Sequence, residues 1–191
     1  MNPLDESTGL PPVRLRDARG DDAELLRGLN SPAVLGEWDH FDDPGDEMLS
    51  GALYNGATKI VELPDGSAIG SVSWIQVPYG PNQRSLAWSI GITVLPVFRG
   101  RGLGASAQRR LALELLGRSH ANRVQADTDI GNVAEQRSLQ LAGFTREGIA
   151  RGAQWRRGRW HDRVLYSLLR GDVAPDTSRL GGPVTGGPVT G

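Results

Sequence analysis

Three alternating glycines and two arginines between positions 94 and 105 are the clearest candidates for chemistry in this chain, in the segment VLPVFRGRGLGA. Gly100, Gly102 and Gly104 carry no Cβ, so neighbouring backbone N–H groups can converge on one anion. A helix that begins here would add the positive end of its dipole, and Arg99 and Arg101 add full charges. The combination predicts a binding site for a pyrophosphate group.

Other phosphate-binding turns share part of this pattern. A P-loop has a lysine before its closing serine or threonine, whereas this turn ends in Gly-Ala-Ser. A dinucleotide-binding turn fits formally, because Gly100, Gly102 and Ala105 match its spacing and Asp127 follows at a predicted strand end. The segments before the turn have the pattern of hairpins instead of strand–helix–strand units, which disfavours that interpretation. A tight strand-to-helix junction without a ligand is the remaining alternative.

Composition excludes several other kinds of site. The 191 residues include no cysteine, which rules out disulfides, thiolate metal ligands and a cysteine acyl-enzyme. The three histidines are widely spaced, so no metal site is predicted. The net charge is −1, but residues 1–63 hold 13 acidic and 5 basic side chains, and residues 99–163 hold 13 basic and 6 acidic ones. This division suits either two ligands of opposite charge or an uneven surface without such a role.

The elements that must position the turn follow from hydrophobic periodicity and turn residues. Seven strands are predicted, at 13–17, 59–63, 68–77, 85–95, 123–128, 144–150 and 163–169. Three helices are predicted, at 23–29, 103–115 and 133–143, and a further short helix is predicted within the acidic loop at 31–50. The order of these elements predicts a mixed α/β (α+β) sandwich. The predicted divisions of the chain are a flexible arm at 1–12, one domain at 13–171 and a disordered tail with a repeated GPVTG at 172–191.

On these motifs the chain resembles the GNAT superfamily of acyl-CoA N-acyltransferases. The family hallmark, Arg/Gln-x-x-Gly-x-Gly/Ala, is matched by Arg99, Gly102 and Gly104, and Asn132 precedes a Gly-Phe pair at 143–144 by the family's helix spacing. The later motifs resemble the RimJ/RimL branch of ribosomal-protein acetyltransferases, with EG at 147–148, WHD at 160–162 and YSLL at 166–169. The resemblance covers about residues 13–170. It implies a mostly antiparallel mixed sheet that splays at the glycine turn and is flanked by helices.

The resemblance also implies that acetyl-CoA is the cofactor and that it lies in the cleft opened by the splayed strand. Pro96, which cannot donate a ladder hydrogen bond, suits the end of that strand. In the family, the pantetheine pairs with the strand before the turn and the pyrophosphate lies on the turn. Carried over, the cofactor-binding residues are Ile92, Thr93, Val94, Arg99, Gly100, Arg101, Gly102, Leu103, Gly104, Ala105, Asn132 and Arg137. In the alternative, Asn132 only caps its helix and Arg137 only faces solvent.

Transfer to an amine requires that the amine lose its proton, because an ammonium has no lone pair to attack a thioester. An alkyl amine with an ordinary pKa of about 10 therefore needs a base or a water chain. Ser89 replaces the strand glutamate of many relatives, and Asp127 corresponds to the carboxylate that ribosomal alanine N-acetyltransferases place five residues before the helix asparagine. We expect Asp127 to be the base, or else a carboxylate paired with an arginine. Asp129 points to the same side if the strand continues.

The departing thiolate is often protonated by a tyrosine seven residues after the asparagine, where this chain has Leu139. Ser138 and Tyr166 are the candidate acids in its place, although a thiol with a pKa of about 8.5 also leaves as a thiolate. Because the chain has no cysteine, we expect direct transfer within a ternary complex.

In the family, the segment after the first helix borders the acceptor. Here that segment is acidic and aromatic, and the candidate acceptor-binding residues are Glu37, Trp38, Asp39, Phe41 and Asp127. Such a wall suits a cationic amine of a small molecule, for example an amine-bearing natural product or antibiotic. The alternatives are a protein or peptide N-terminus as the acceptor, or an acyl-CoA-binding module without catalysis.

The acceptor is the main binding partner that the sequence predicts. A membrane is not expected, since no apolar run approaches the roughly 20 residues of a transmembrane helix. A nucleic acid is not expected either, because the basic, tryptophan-rich segment at 155–160 is explained by a hairpin turn. The N-terminal residues lack a signal pattern, so a cytoplasmic protein is expected. A homodimer is one alternative for its assembly.

Overall fold

Seven strands form one mixed sheet in the order β1-β2-β3-β4-β5-β7-β6 in the computed structural model, which describes residues 9–38 and 56–173. The strands are β1 Arg14–Asp17, β2 Gly56–Glu62, β3 Ala68–Pro78, β4 Leu86–Val94, β5 Arg123–Asp129, β6 Thr145–Arg156 and β7 Arg159–Leu169. The α-helices are α1 Ala23–Leu29, α2 Pro32–Leu35, α3 Leu103–Arg118, α4 Val133–Leu141 and α5 Arg170–Val173. This order confirms the predicted mixed α/β class.

The sheet consists of two antiparallel parts that meet at a short parallel contact. Strands β1 to β4 form a meander, and β7 lies between β5 and β6 in the second part. Between β4 and β5 only two residue pairs are in register, Trp88 with Val124 and Ser89 with Gln125. Beyond these pairs the two strands part, so the later residues of β4 have a ladder partner on β3 alone. The parting opens a cleft at the carboxyl ends of both strands.

Helix α3 anchors the two parts of the sheet to one core. Its apolar residues recur at four-residue spacing, and Leu103, Ala107, Leu111 and Leu115 are all buried. They join a cluster that includes Val72 of the meander and residues of β5 and β7. Packing of this buried stripe, more than intrinsic helix propensity, stabilises a helix in this position.

Several predicted boundaries differ from the structure. The last two strands form a hairpin that extends to Arg156 and begins again at Arg159, well beyond the predicted ends at 150 and 163. The arm is described from Gly9 onward, where Ser106 Oγ donates to the Pro11 carbonyl at 2.6 Å. Helix α5 reaches Val173, two residues into the predicted tail. Residues 1–8 and 174–191 of the predicted arm and tail lie outside the described residues.

Candidate active site

The glycine turn leads directly from β4 into α3. Gly100 and Gly102 have positive φ angles of 74° and 76°, a conformation that glycine adopts without steric cost, and Gly102 is the residue that caps α3. Gly104 lies in the first turn of the helix, where an added Cβ would come 3.3 Å from Ser138 Oγ of α4. The three predicted glycines therefore each serve a conformation or a close approach that a larger residue would disturb.

The two arginines of the turn take different positions. Arg99 Nε donates to the Val94 carbonyl at 2.9 Å, and its terminal nitrogen donates to the Val34 carbonyl at 2.5 Å. The Arg99 side chain thus ties the end of β4 to α2. Arg101 is exposed and stands over the Phe98 ring, with its guanidinium carbon 5.8 Å from the ring centroid. Both remain predicted contacts of the pyrophosphate.

The other predicted cofactor contacts lie along the cleft and on α4. Ile92, Thr93 and Val94 form the end of β4 where it has left β5, while the side chains of Leu103 and Ala105 are buried, so that only their backbone can meet a ligand. Asn132 caps α4, since its Oδ1 accepts from the Glu135 N–H at 3.2 Å. Arg137 is exposed on the same helix.

The two candidate acids have different surroundings. Ser138 Oγ donates to Gln108 Oε1 at 2.9 Å, and Gln108 Nε2 donates in turn to Glu135. Tyr166 is fully buried in the core, and its hydroxyl has no hydrogen-bond partner among the described residues. A leaving thiolate therefore reaches Tyr166 only by entering the core, whereas Ser138 lies beside the glycine turn. Their roles in catalysis stay predictions.

A ladder of charged side chains crosses one face of β5, β7 and β6. Asp127 Oδ2 accepts from Arg163 Nε at 2.6 Å, and Arg163 donates to Gln154 Oε1 at 3.0 Å. Arg156 donates to the same Gln154 oxygen at 2.7 Å and to Asp129 Oδ2 at 2.6 Å. Asp127 thus has the arginine partner that the sequence analysis gave as the alternative to a base, and its role as the base stays a prediction.

The Asp129 end of this ladder is buried. The side chains of Arg156 and Asp129 are 2% and 5% exposed, and His161 Nδ1 lies 3.2 Å from Asp129 Oδ2. Burial alone would raise the pKa of Asp129, but hydrogen bonds from the Gly131 N–H and Arg156, with the charges of Arg156 and His161, hold it below its ordinary value. The carboxylate is therefore kept ionised and is a weak proton acceptor.

The Asp129–Arg156 end of the ladder lines a cavity of about 490 Å³, a volume within the usual range for small-molecule sites, whereas Asp127 is not among the residues that line it. Its walls come from the segment that follows α2, the loop after β5 and the β6–β7 turn. Its lining residues include Glu37, Trp38, Asp129, Gly131, Arg156, Arg157, Arg159, Trp160 and His161. Glu37 and Trp38 of the predicted acceptor wall are thus brought to a cavity. Asp39 and Phe41 lie outside the described residues.

Sequence reasoning missed Arg156, His161 and Trp160 as parts of a site. Arg156 and His161 lie on one face of the β6–β7 hairpin, and their shared face becomes visible only when both strands extend to a two-residue turn. The alternation of WRRGRWHD around Arg-Gly would have been the available signal. Among the described residues no cluster of three or more potential metal ligands occurs, and no helix is long and apolar enough to cross a membrane.

Comparison with known proteins gives consistent matches. A family model described as an acetyltransferase (GNAT) domain matches residues 13–145. YdaF of Bacillus subtilis (strain 168), assigned by name to the ribosomal N-acetyltransferases, is 32% identical over 108 residues, which are 56% of this chain and 57% of YdaF. The match thus spans less than two thirds of that relative.

Two solved structures share the fold. RimJ of Mycobacterium smegmatis, in complex with CoA-disulfide, has a TM-score of 0.70 at 18% identity and covers 88% of this chain and 87% of its own. Spermidine N-acetyltransferase of Vibrio cholerae, in complex with CoA and spermine, has a TM-score of 0.65 at 19% identity and covers 84% of this chain and 97% of its own.

Proposed function

We propose that this chain, which belongs to the GNAT acetyltransferase family, transfers an acetyl group from acetyl-CoA to a primary amine by direct attack in a ternary complex. The observation that carries the proposal is the parting of β4 from β5 directly before the glycine turn. The unpaired edge of β4 offers backbone hydrogen-bonding groups to the pantetheine amides. The N-terminus of α3 offers N–H groups to the pyrophosphate.

The residues present fit acetyl-CoA. Gly104 and Ser138 lie so close that a Cβ at position 104 would crowd the serine hydroxyl, and Gly100 and Gly102 open the backbone of the turn. Acetyl-CoA supplies the thioester carbonyl that an amine attacks. Arg101 and the turn N–H groups would hold its phosphates, and Ile92 to Val94 would orient its pantetheine. The Val94 carbonyl already accepts from Arg99, so it has one lone pair left for the cofactor.

Both carboxylates that could accept the proton of the amine, Asp127 and Asp129, are paired with an arginine. Asp127 is bound by Arg163, and the lowered pKa of Asp129 makes that carboxylate a weak acceptor. Asp127 is nevertheless the more accessible of the two, with 39% of its side chain exposed. We therefore retain Asp127 as the base, acting on the ammonium directly or through water, with Ser138 as the nearer candidate acid.

The acceptor lies in the cavity between α2 and the β6–β7 turn. YdaF is by name a ribosomal N-acetyltransferase, and the Vibrio cholerae enzyme is a spermidine N-acetyltransferase in complex with CoA and spermine. These relatives support an amine acceptor of either kind, a small molecule or a peptide N-terminus. The cationic acceptor predicted from the acidic segment depends mainly on residues outside the described part of the chain.

The test is thiol release from acetyl-CoA across a panel of polyamines, aminoglycosides, amino acids and peptides. Release that requires an amine, with a new N-acetyl product by mass spectrometry, supports the proposal. Gly104→Ala should weaken CoA binding in calorimetry, because an added Cβ would lie 3.3 Å from Ser138 Oγ, so that the serine or the first turn of α3 must shift. Gly117→Ala is the matched control, since a Cβ there meets nothing within 4 Å.

A second candidate is an acyl-CoA-binding module without catalysis. The pairing of both Asp127 and Asp129 with arginines favours it, because neither carboxylate is an unhindered base. Tight CoA binding without thiol release for any amine would establish this alternative and contradict the enzymatic proposal.

A further inference from the structure

The β6–β7 turn brings two arginines without an ionic partner to the acceptor cavity. Arg157 and Arg159 both line it, both are exposed, and neither makes an ion pair within the ranges 9–38 and 56–173. Arg156 differs, because Asp129 neutralises it at 2.6 Å. Among the acidic lining residues, Asp162 accepts from the Gly152 N–H at 2.8 Å, and Glu37 is exposed on the opposite wall. The turn end of the cavity therefore carries two guanidinium groups that have no ionic partner among the described residues, while Glu37 and Asp162 supply carboxylates to the same lining.

The backbone of Arg157 adds an independent observation. Arg157 has a φ of 52°, the one positive value outside glycine in the described part of the chain, and Gly158 follows with 70°. A two-residue hairpin turn with both φ angles positive is the type I′ pattern, which favours Asn or Gly at its first position. A long cationic residue is sterically disfavoured there. Its presence in a strained conformation beside a cavity points to a use for the side chain.

The hairpin that carries these arginines is held firmly. Trp155 and Trp160 face each other across the strands, with ring centroids 5.3 Å apart in a T-shaped arrangement. Arg156 ties the same hairpin to the other wall through a 2.5 Å hydrogen bond to the Trp38 carbonyl. Arginines on a fixed scaffold lose less freedom when they bind an anion, which favours affinity. Trp38 and Trp160 add aromatic surface to the cavity.

We propose that the acceptor carries an anionic group, a carboxylate or a phosphate, beside its primary amine, and that Arg157 and Arg159 bind this group. The proposal rests on the proposed function and specifies its acceptor. Asp129 and Gly131 line the cavity at the carboxyl end of β5, the strand from which β4 parts. The amine points to that end and the anion to the β6–β7 turn. This acceptor differs from the polycation that the acidic segment predicts.

The first test measures anion binding without catalysis. Phenyl phosphate and benzoate are titrated against protein saturated with CoA, which blocks the pyrophosphate site. Binding is followed by tryptophan fluorescence, since two of the five tryptophans, Trp38 and Trp160, line the cavity. We expect saturable quenching by at least one probe, and the stronger of the two identifies the anion as phosphate or carboxylate. Absence of saturable quenching by both probes overturns the proposal.

Variants then locate the anion site. Arg157→Gly keeps the turn, because glycine adopts a φ of 52° without strain. Together with Arg159→Gln it should weaken probe binding by about tenfold or more, the effect of losing hydrogen bonds to a charged group. The control of equal charge change is Arg14→Gln together with Arg27→Gln, two exposed arginines on β1 and α1 that do not line the cavity, and it should leave binding unaltered. Equal weakening by this control overturns the proposal, because it indicates an effect of net charge alone.

The acetylation assay separates this proposal from the one it rests on. Phenylalanine, its 1-aminoalkylphosphonate analogue, phenylalaninamide and spermidine are compared as acceptors. Preference for either anionic acceptor, lost in the Arg157→Gly/Arg159→Gln variant through a raised acceptor KM, supports the proposal. Efficient acetylation of the amide or spermidine alone overturns it and leaves the acetyltransferase function intact. Anion binding at the turn without any thiol release supports the anion site and contradicts the acetyltransferase function.

Discussion

Replacement of Arg156 by methionine tests whether the buried pair with Asp129 is as important as its geometry indicates. Both side chains are at most 5% exposed, and the Nη2–Oδ2 distance is 2.6 Å. Methionine keeps much of the volume but leaves the Asp129 carboxylate buried, with the Gly131 N–H and His161 as its nearest partners. Removal of one partner from a buried ion pair costs about 3–5 kcal/mol. For a domain of this size that corresponds to a fall in Tm of roughly 10 °C.

Arg163→Met is the matched control at the next step of the ladder. It removes the same charge from Asp127 at the same 2.6 Å distance, but 39% of the Asp127 side chain is exposed, so water can solvate the carboxylate that is left. The expected cost is about 1 kcal/mol or less. The difference between the two variants reports the effect of burial together with the loss of the Arg156 hydrogen bond to the Trp38 carbonyl, and urea denaturation at pH 7 measures both.

The pH dependence gives a second signature with a definite sign. In the wild type the pKa of Asp129 lies below its ordinary value, so its contribution is present at neutral pH and is lost only in acid. In the Arg156→Met variant, burial dominates and raises that pKa above the unfolded value, so the folded state binds a proton first. The deficit of the variant should therefore shrink as the pH falls from 7 to 5. A cost below about 1 kcal/mol, or equal costs for both variants at both pH values, would refute the reasoning.

Three further expectations concern other parts of the chain. Arg157→Asn should raise the free energy of unfolding by about 1 kcal/mol in urea denaturation, since asparagine suits the first position of the type I′ turn; a lower stability would contradict the strain. The pKa of Glu147 is lowered to about 2, chiefly by its hydrogen bonds with Arg123, so its contribution is present above its ordinary value of 4.5 and is lost as the pH falls toward 2. In the Glu147→Gln variant the free energy of unfolding should depend less on pH in this acid range. An unchanged pH dependence, followed by circular dichroism, would contradict this expectation. Gly102→Ala should lower the free energy of unfolding by about 1–2 kcal/mol because Gly102 has a φ of 76°. Gly117→Ala, in an exposed stretch of α3, should instead raise it by about 0.5–1 kcal/mol. Similar effects of the two variants in calorimetry would contradict the assigned turn conformation.

Much of the fold could be predicted because local pattern and global packing agree. The four-residue spacing of Leu103, Ala107, Leu111 and Leu115 predicted α3, and all four side chains are buried. The β6–β7 hairpin was underestimated, because residues 151–162 are rich in arginine and glycine and lack apolar alternation. Its outer strand is an edge with register shifts, where exposed polar residues are tolerated and hydrophobic periodicity is weak.

The candidate site could be predicted only where one short segment forms it. The glycine turn is local, so its glycine spacing was enough to predict an irregular turn before α3, although it did not distinguish Gly100 and Gly102, which have positive φ angles, from Gly104, which does not. The ladder from Asp127 to Arg156 joins three strands, and its contacts depend on the pairing register of β5 with β7 and of β7 with β6. A shift of one residue would place every member on the opposite face, which sequence patterns do not resolve in a charged hairpin.

Only two residue pairs join β4 to β5, so the two parts of the sheet are connected mainly through the core that they share with helix α3. A ligand that pairs with the edge of β4 on one side and meets β5 on the other acts as an additional strand between two half-sheets. Binding at a concentration 100-fold above Kd would stabilise the fold by about 2.7 kcal/mol. The lifetime of the protein in a cell would then depend on the concentration of coenzyme A. Depletion of coenzyme A would make the contact between β4 and β5 more susceptible to proteolysis.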